Sequence, residues 1–369
     1  MHPEELVNKY DETRREVRHL HMDIYYRPML PINAGLDDEQ VELSTKATQE
    51  RFESIGFADA DAAMRHVTAL TAGISRAAKI NRILLPAVLQ WLGEGQNPDM
   101  GLLNWRKLEE NFGSESGYLG FLRDSPSAAQ RLCHVLSNSR FLGDALNKSV
   151  ESVTWLGNDD SLQPRSRESL DIQTKATLER NAGNINDFAN SIRAMRRHEI
   201  ERIGLAWMSG VIDDEASLAG MTDVYDAAIE ASLQWAIQHR INDIQIDEAP
   251  AAIAIIGMGR YGGREVNFSS DADVIIIYRP AEGADDDQAN LFARKCRKTY
   301  VRSCKVQPHS NQKSNLTWIL GLKAKTDRSY VPTHPARNTI DPGQAHGSIR
   351  RYYAHDMRQA TRLLPRISS

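Results

Sequence analysis

Two aspartates one residue apart, Asp271 and Asp273, stand at the head of the apolar run Val274 to Tyr278. Successive side chains of an extended chain point to opposite faces, so the two carboxylates share one face. Like charges held together cost free energy unless a cation lies between them, and aspartate is depleted in strands. The pair therefore reads as a place for a divalent cation. Ser269 and Ser270 come just before it and can donate hydroxyl hydrogen bonds. Before them runs the turn Gly259-Arg260-Tyr261-Gly262-Gly263. Backbone N–H groups in glycine-rich turns can cradle phosphate oxygens. Mg²⁺, a hard ion that prefers oxygen ligands, would sit between those carboxylates and a triphosphate. That is the arrangement needed to move a nucleotidyl group.

The turn has to be presented by a strand. Ala251 to Ile256 and Val274 to Tyr278 are short apolar runs bounded by turn residues, and both are expected as strands. The glycine turn is not a Walker A loop, because Gly257 to Gly263 lacks the Lys-Ser/Thr ending. Nor is it a dinucleotide fingerprint, since the acidic pair follows too soon. Glycines alone are a weak signal. The specific feature is the order Gly-Gly, spacer, Ser-Ser-Asp-x-Asp, apolar run.

Up to about residue 245 the pattern is helical. A charged helix is expected from Glu4 to Tyr26, ending before Pro28 and Pro31. Helices follow over Gln40 to Ile55, Asp59 to Ala72 and Ser75 to Leu92. The last carries the stripe Ile80, Ile83, Leu84, Val88, Leu89 and Leu92, with Pro86 expected to kink or split it. Asn97-Pro98-Asp99 opens a helix carrying Leu102, Leu103, Trp105 and Leu108. Ser125-Pro126 reads as an N-cap with proline at the first helical position. Phe141 to Val150 continues helical, and the polar stretch Gly157 to Arg165 is expected as a loop or subdomain boundary. Long helices follow over Asn184 to Val211 and Asp213 to Ile241, the second with Val224, Ala228, Ala231 and Trp235 on its apolar side.

The whole chain has 369 residues and a formal charge of −4, which points to neither a nucleic-acid nor a membrane partner. No apolar run reaches the ~18 residues of a membrane span, and the N-terminus has no signal-peptide pattern. Cys133, Cys296 and Cys304 form no metal-ligand pattern and no even disulfide set, so a reducing cytoplasm is expected. From Leu291 onward the composition breaks: sixteen Lys plus Arg stand against three Asp and no Glu. The run Asp285-Asp286-Asp287 is expected as a solvated loop.

The segment around the aspartates resembles the nucleotidyltransferase core of the glutamine synthetase adenylyltransferase family. The likeness rests on Gly257, Gly259, Gly262, Gly263, Arg264, Glu265, Ser270, Asp271 and Asp273. It extends to Leu102-Leu103-Asn104-Trp105-Arg106-Lys107-Leu108, Ser139-Arg140-Phe141-Leu142 and Arg193-Ala194-Met195-Arg196-Arg197, and covers about Arg14 to Lys295. The resemblance implies a mostly α chain with a C-terminal α/β nucleotidyltransferase domain of the polymerase-β-like kind, incomplete here. It implies transfer of AMP from ATP to a tyrosine of glutamine synthetase. Asp271 and Asp273 would be the catalytic metal ligands for Mg²⁺, and Gly262, Gly263, Ser269 and Ser270 would contact the triphosphate. Glutamine synthetase and a nitrogen-regulatory signalling protein would be the partners. Arg264 and Glu265 carry an alternative reading, an ion pair that fixes the turn. The family has an AMP-removing and an AMP-adding half joined by a helical linker. Residues 1–95 would be the end of the first half and linker, 96–245 a helical subdomain, and 246–295 the start of the second, AMP-adding core. The rival reading is a non-catalytic helical module over residues 1–245 that binds glutamine synthetase or a regulatory protein.

The chain departs from the family where a third carboxylate is expected: Leu316 to Asp327 has none at the key positions. Codons compatible with Ser314 to Arg328 spell ELDMDLRPEGKNGP in the neighbouring frame, a family word. Residues 296–369 are therefore expected to be an irregular basic tail translated out of frame, leaving this chain with little activity.

Overall fold

The computed structural model describes residues 38–113, 117–268, 270–305 and 350–353, with positions 9, 10, 13, 14, 16, 17 and 20 near the start. The helix expected over Glu4 to Tyr26 falls largely outside them. The chain divides into two compact units, residues 1–163 with 204–211, and residues 164–203 with 212–369. These divisions differ from the expected ones: neither 95 nor 245 separates the units.

The first unit is built of α1 (Asp38–Ile55), α2 (Ala60–Thr71), α3 (Arg76–Gly93), α4 (Pro98–Phe112), α5 (Tyr118–Asp124), α6 (Pro126–Asn138), α7 (Arg140–Leu146), α8 (Val150–Trp155) and α9 (Asp159–Leu162). Most starts have a local cause. The side chains of Asp59, Ser75 and Asn97 accept from the N–H groups of Ala62, Ala78 and Met100, satisfying donors that the first helical turn leaves unpaired. Ser125 sits at the N-cap of α6 as expected, but its side chain makes no capping bond. Pro86 is buried within α3 and does not split it. The core is formed by Leu85, Leu89, Leu92, Leu102, Trp105, Leu108, Leu132 and Leu136, all fully buried. Ile83, expected on the apolar stripe, is instead 66% exposed. The expected loop after Gly157 contains the short α9 before the unit ends.

The second unit holds α10 (Arg167–Arg180), most of α11 (Ile185–Met208), α12 (Asp214–Ile244), β1 (Ala251–Gly257), the one-turn α13 (Gly259–Gly262), β2 (Val274–Pro280), α14 (Asp286–Lys305) and β3 (Arg350–Tyr353). The sheet order is β2-β1-β3, antiparallel throughout, with Ala251 opposite Pro280, Gly257 opposite Val274 and Ile255 opposite Tyr352. Burial alternates along β1, as a half-covered sheet requires: Ala251, Ile253 and Ile255 are buried and packed in one core with Val224, Ala228, Trp235, Phe292 and Tyr300. Helices α12 and α14 lie against each other, and α14 lies against β1 and β2. The fold is mostly helical with a small sheet, the coarse form of what was expected.

The segment expected to be out of frame after Lys295 begins inside helix α14. Helix α14 runs on to Lys305, and Ala289, Phe292, Ala293, Cys296, Tyr300 and Cys304 form one buried stripe at helical spacing. The start of that helix corrects a second expectation. Asp285 is no mid-loop residue: its carboxylate accepts from the Gln288 N–H at 2.9 Å and caps α14, whose first turn contains Asp286 and Asp287.

Candidate functional site

The site forms where β1 ends. Its last residues lead into Met258 and the α13 turn, and the chain then returns through Val266 to Asp273 and enters β2. The Met258 N–H donates to the Asp273 carbonyl at 2.8 Å, so the turn and the returning segment are tied together one step beyond the sheet. Val266, Ala272 and Val274 are buried beneath this return. Asp271 and Asp273 alternate with Ala272 and Val274, and both are exposed, so the two carboxylates lie on the solvent side, as the spacing predicts.

Gly259 faces Asp273. Its φ is +55°, a conformation glycine adopts without a Cβ penalty, and a Cβ placed there would lie 3.6 Å from the Asp273 Oδ2. The space in front of that carboxylate is kept open by the missing side chain. Two exposed carboxylates with open space between turn and strand fit Mg²⁺, which takes one or two carboxylates and fills its remaining positions with water and substrate phosphate oxygens. Among the described residues no group of three or more His, Cys, Asp or Glu side chains could hold a metal.

Of the residues expected to contact phosphate, Gly262, Gly263 and Ser270 hydrogen-bond within the loop. The N–H groups of Gly262 and Gly263 donate to the carbonyls of Met258 and Gly259, both at 2.9 Å, and close the turn. Ser270 is buried; its hydroxyl donates to Asn267 Oδ1 at 2.8 Å and accepts from the Asn267 N–H at 3.0 Å, which folds the loop back before the aspartates. Ser269 lies outside the described residues. Arg264 does not pair with its neighbour Glu265. Held at φ +62°, it reaches Asp223 Oδ1 of α12 at 2.9 Å.

Sequence reasoning missed the groups that brace this turn from α10 and α12. The Tyr261 ring is fully buried and its hydroxyl reaches Asp226. Arg167 bridges Asp171, Asp226 and Glu230 at 2.7, 3.5 and 2.6 Å. Burial pushes the Asp226 carboxyl up to about 7, against the opposing pull of Tyr261 and Arg167. Closer to the aspartates, the Tyr225 hydroxyl donates to the Ser270 carbonyl at 3.2 Å, and the Arg196 guanidinium lies 5.5 Å from the centre of the Tyr225 ring. Burial raises the Tyr225 pKa; Arg196 opposes the rise and Asp271 adds to it. One signal was available for Asp226: a carboxylate falling among Val224, Ala228 and Ala231 on the apolar side of a helix needs a partner.

Comparison with known proteins bears on the same segment. The family described as Glutamate-ammonia ligase adenylyltransferase matches residues 129–302. That span includes the glycine turn and both aspartates and passes the break expected at 295. Proteins named bifunctional glutamine synthetase adenylyltransferase/adenylyl-removing enzyme are similar over most of the chain. The one from Bifidobacterium longum strain DJO10A is 76% identical over 295 residues, 80% of this chain and 27% of that protein. The one from Leifsonia xyli subsp. xyli is 39% identical over 76% of this chain and 28% of its own length. The one from Streptomyces coelicolor is 36% identical over 76% and 29%. The chain thus spans less than a third of these curated relatives, and by these likenesses it belongs to the glutamate-ammonia ligase adenylyltransferase family, a family of nucleotidyltransferase enzymes.

Proposed function

We propose that the second unit contains the start of an ATP-using adenylylation site, with Asp271 and Asp273 as the Mg²⁺ ligands. The observation that carries this is the pair itself: two exposed carboxylates on one face, opposite a glycine held at positive φ, at the end of a strand. Bound Mg²⁺ would supply charge neutralisation at the α-phosphate. Asp271 and Asp273 would orient the nucleotide through that ion. The glycine turn would act by shape at Gly262 and Gly263, whose amides are committed, and Ser270 by fixing the loop that aims the aspartates. Ser269 is proposed as a phosphate contact from sequence alone. The acceptor would be a tyrosine hydroxyl of glutamine synthetase in the cytoplasm, with a nitrogen-regulatory protein as a second partner. The relatives' printed name supports the enzyme substrate.

Adenylylation needs more than this pair. The family's third carboxylate would come from the stretch in which Leu316 to Asp327 lies, where this sequence has no carboxylate at the key positions. We therefore expect nucleotide binding without appreciable AMP transfer. Calorimetric titration of ATP should show binding that requires Mg²⁺ and falls by at least about tenfold in Asp271→Asn and in Asp273→Asn. Metal-independent binding, or binding indifferent to both substitutions, would remove the basis for the site. Brisk labelling of glutamine synthetase from ATP by the purified chain would overturn the expectation of inactivity.

A further inference from the structure

Of the two carboxylates proposed to hold Mg²⁺, only Asp273 is tied to the sheet. The pairing of β1 with β2 ends at Gly257 opposite Val274, and the Met258 N–H adds one more bond, to the Asp273 carbonyl at 2.8 Å. Among the described residues no backbone–backbone hydrogen bond involves Asp271. The residue before it is held from α12 instead: the Tyr225 hydroxyl donates to the Ser270 carbonyl at 3.2 Å. That carbonyl belongs to the planar peptide unit that ends at the Asp271 Cα, so a bond to it fixes the plane from which the Asp271 side chain departs. The Ser270 hydroxyl, bonded to Asn267, holds the same residue from its other side.

Tyr225 is itself firmly placed. It is buried, its ring centre lies 6.3 Å from that of Tyr261, and the Arg196 guanidinium stands 5.5 Å from it. Two positions earlier Asp223 accepts from Arg264 at 2.9 Å, and one position later Asp226 meets the Tyr261 hydroxyl. One turn of α12 thus grips the glycine turn, its exit at Arg264, and the loop before the aspartates. We propose that Tyr225 is a positioning residue for Mg²⁺–nucleotide binding: through the Ser270 carbonyl its hydroxyl sets where the Asp271 carboxylate stands, a task the sheet performs for Asp273. This rests on the reading of the two aspartates as metal ligands.

In the full chain, Tyr225→Phe keeps the ring and removes only the hydroxyl. Calorimetry should show Mg²⁺–ATP binding weakened about fivefold, the scale of one buried hydrogen bond. Ser303→Ala removes another buried hydroxyl of the same unit, one that donates to the Tyr300 carbonyl at 2.7 Å. It should lower the urea midpoint by a similar amount and leave the affinity alone. A double-mutant cycle supplies a readout that a merely structural role would not move. Asp271→Asn should cost less affinity in the Tyr225→Phe chain than in the unaltered chain, whereas Asp273→Asn should cost the same in both. Unchanged affinity in Tyr225→Phe, an equal loss in Ser303→Ala, or equal coupling of Tyr225 to the two aspartates overturns the proposal. Failure of the metal-site reading is distinguishable, because neither aspartate then matters in the unaltered chain; if both matter and Tyr225→Phe binds as before, the role of Tyr225 alone falls.

Discussion

Asp226 shows how a single buried carboxyl ties the turn to the pH of the solution. In the unfolded chain it titrates in the ordinary aspartate range; in the folded chain burial raises it to about 7, with Arg167, Arg264, Asp223 and Tyr261 as its neighbours. Between those values the native state binds more protons than the unfolded state. Stability therefore falls as pH climbs through the acid range toward 7 and levels off above it, by on the order of 4 kcal/mol for this group. Asp226→Asn cannot titrate, so its unfolding free energy should be flatter over the same window. Glu109, raised to about 7 in the other unit, titrates there too, so part of the slope should persist. Urea unfolding over a pH series measures both chains, and identical slopes would refute the assignment. Asp271 and Asp273 were legible because their signal is local: period two on an extended chain needs only neighbouring residues. Asp226 was not, because Arg167 and Tyr261 meet it from positions far along the chain, and sequence spacing says nothing about that meeting.

The same distinction holds for whole elements. Helices whose cause is local were readable: a capping side chain at Asp59, Ser75, Asn97 or Asp213 followed by apolar periodicity fixes both start and face. Helix α10 was not read, since it buries only Leu170, Thr174 and Thr177 and has almost no apolar stripe. Its place is set by Arg167 reaching across to Asp226 and Glu230 of α12. The strands were read correctly from their apolar runs, but which strand lies beside which depends on non-local pairing, and β3 had no local mark. The element most exposed to a single change is the α13 turn. Gly259→Ala places a Cβ on a residue with φ +55°, which should destabilise the chain by about 1 kcal/mol. Because that methyl would stand 3.6 Å from the Asp273 carboxylate, Mg²⁺–ATP binding should weaken by more than the strain alone explains. Gly259→Asn, which tolerates the left-handed region, should recover most of the stability but not the binding. Thermal unfolding beside nucleotide titration separates the two effects, and equal recovery of both by asparagine would refute an open space as the turn's purpose.

At the scale of the molecule, the question is where the family-like chain stops being part of the folded second unit. Composition changes from Leu291, which placed the expected break at Lys295. Helix α14 nevertheless crosses that point, with Arg294, Lys295, Arg297, Lys298 and Arg302 exposed and Phe292, Cys296, Tyr300 and Cys304 buried. A helix can be strongly basic and still close a core, and the family match to residue 302 agrees with that extent. The out-of-frame reading, which we retain as a proposal, therefore applies best beyond Lys305, and the encoding DNA is its direct check. The protein itself offers a sharper one. Two truncations, after Lys305 and after Lys295, both remove β3 and so leave the same edge of β1 uncovered. Only the shorter chain also loses Cys296, Tyr300 and Cys304 from the core. Burying a large aromatic and two small apolar groups is worth about 4 kcal/mol, so the shorter chain should unfold at markedly lower urea, while the chain ending at Lys305 keeps the cooperative transition of its second unit. Arg193, which donates to the Ser303 carbonyl at 3.1 Å, would lose its partner only in the shorter chain. If both truncations unfold at the same midpoint, the last turns of α14 contribute nothing to the core, and the break belongs at Lys295 after all.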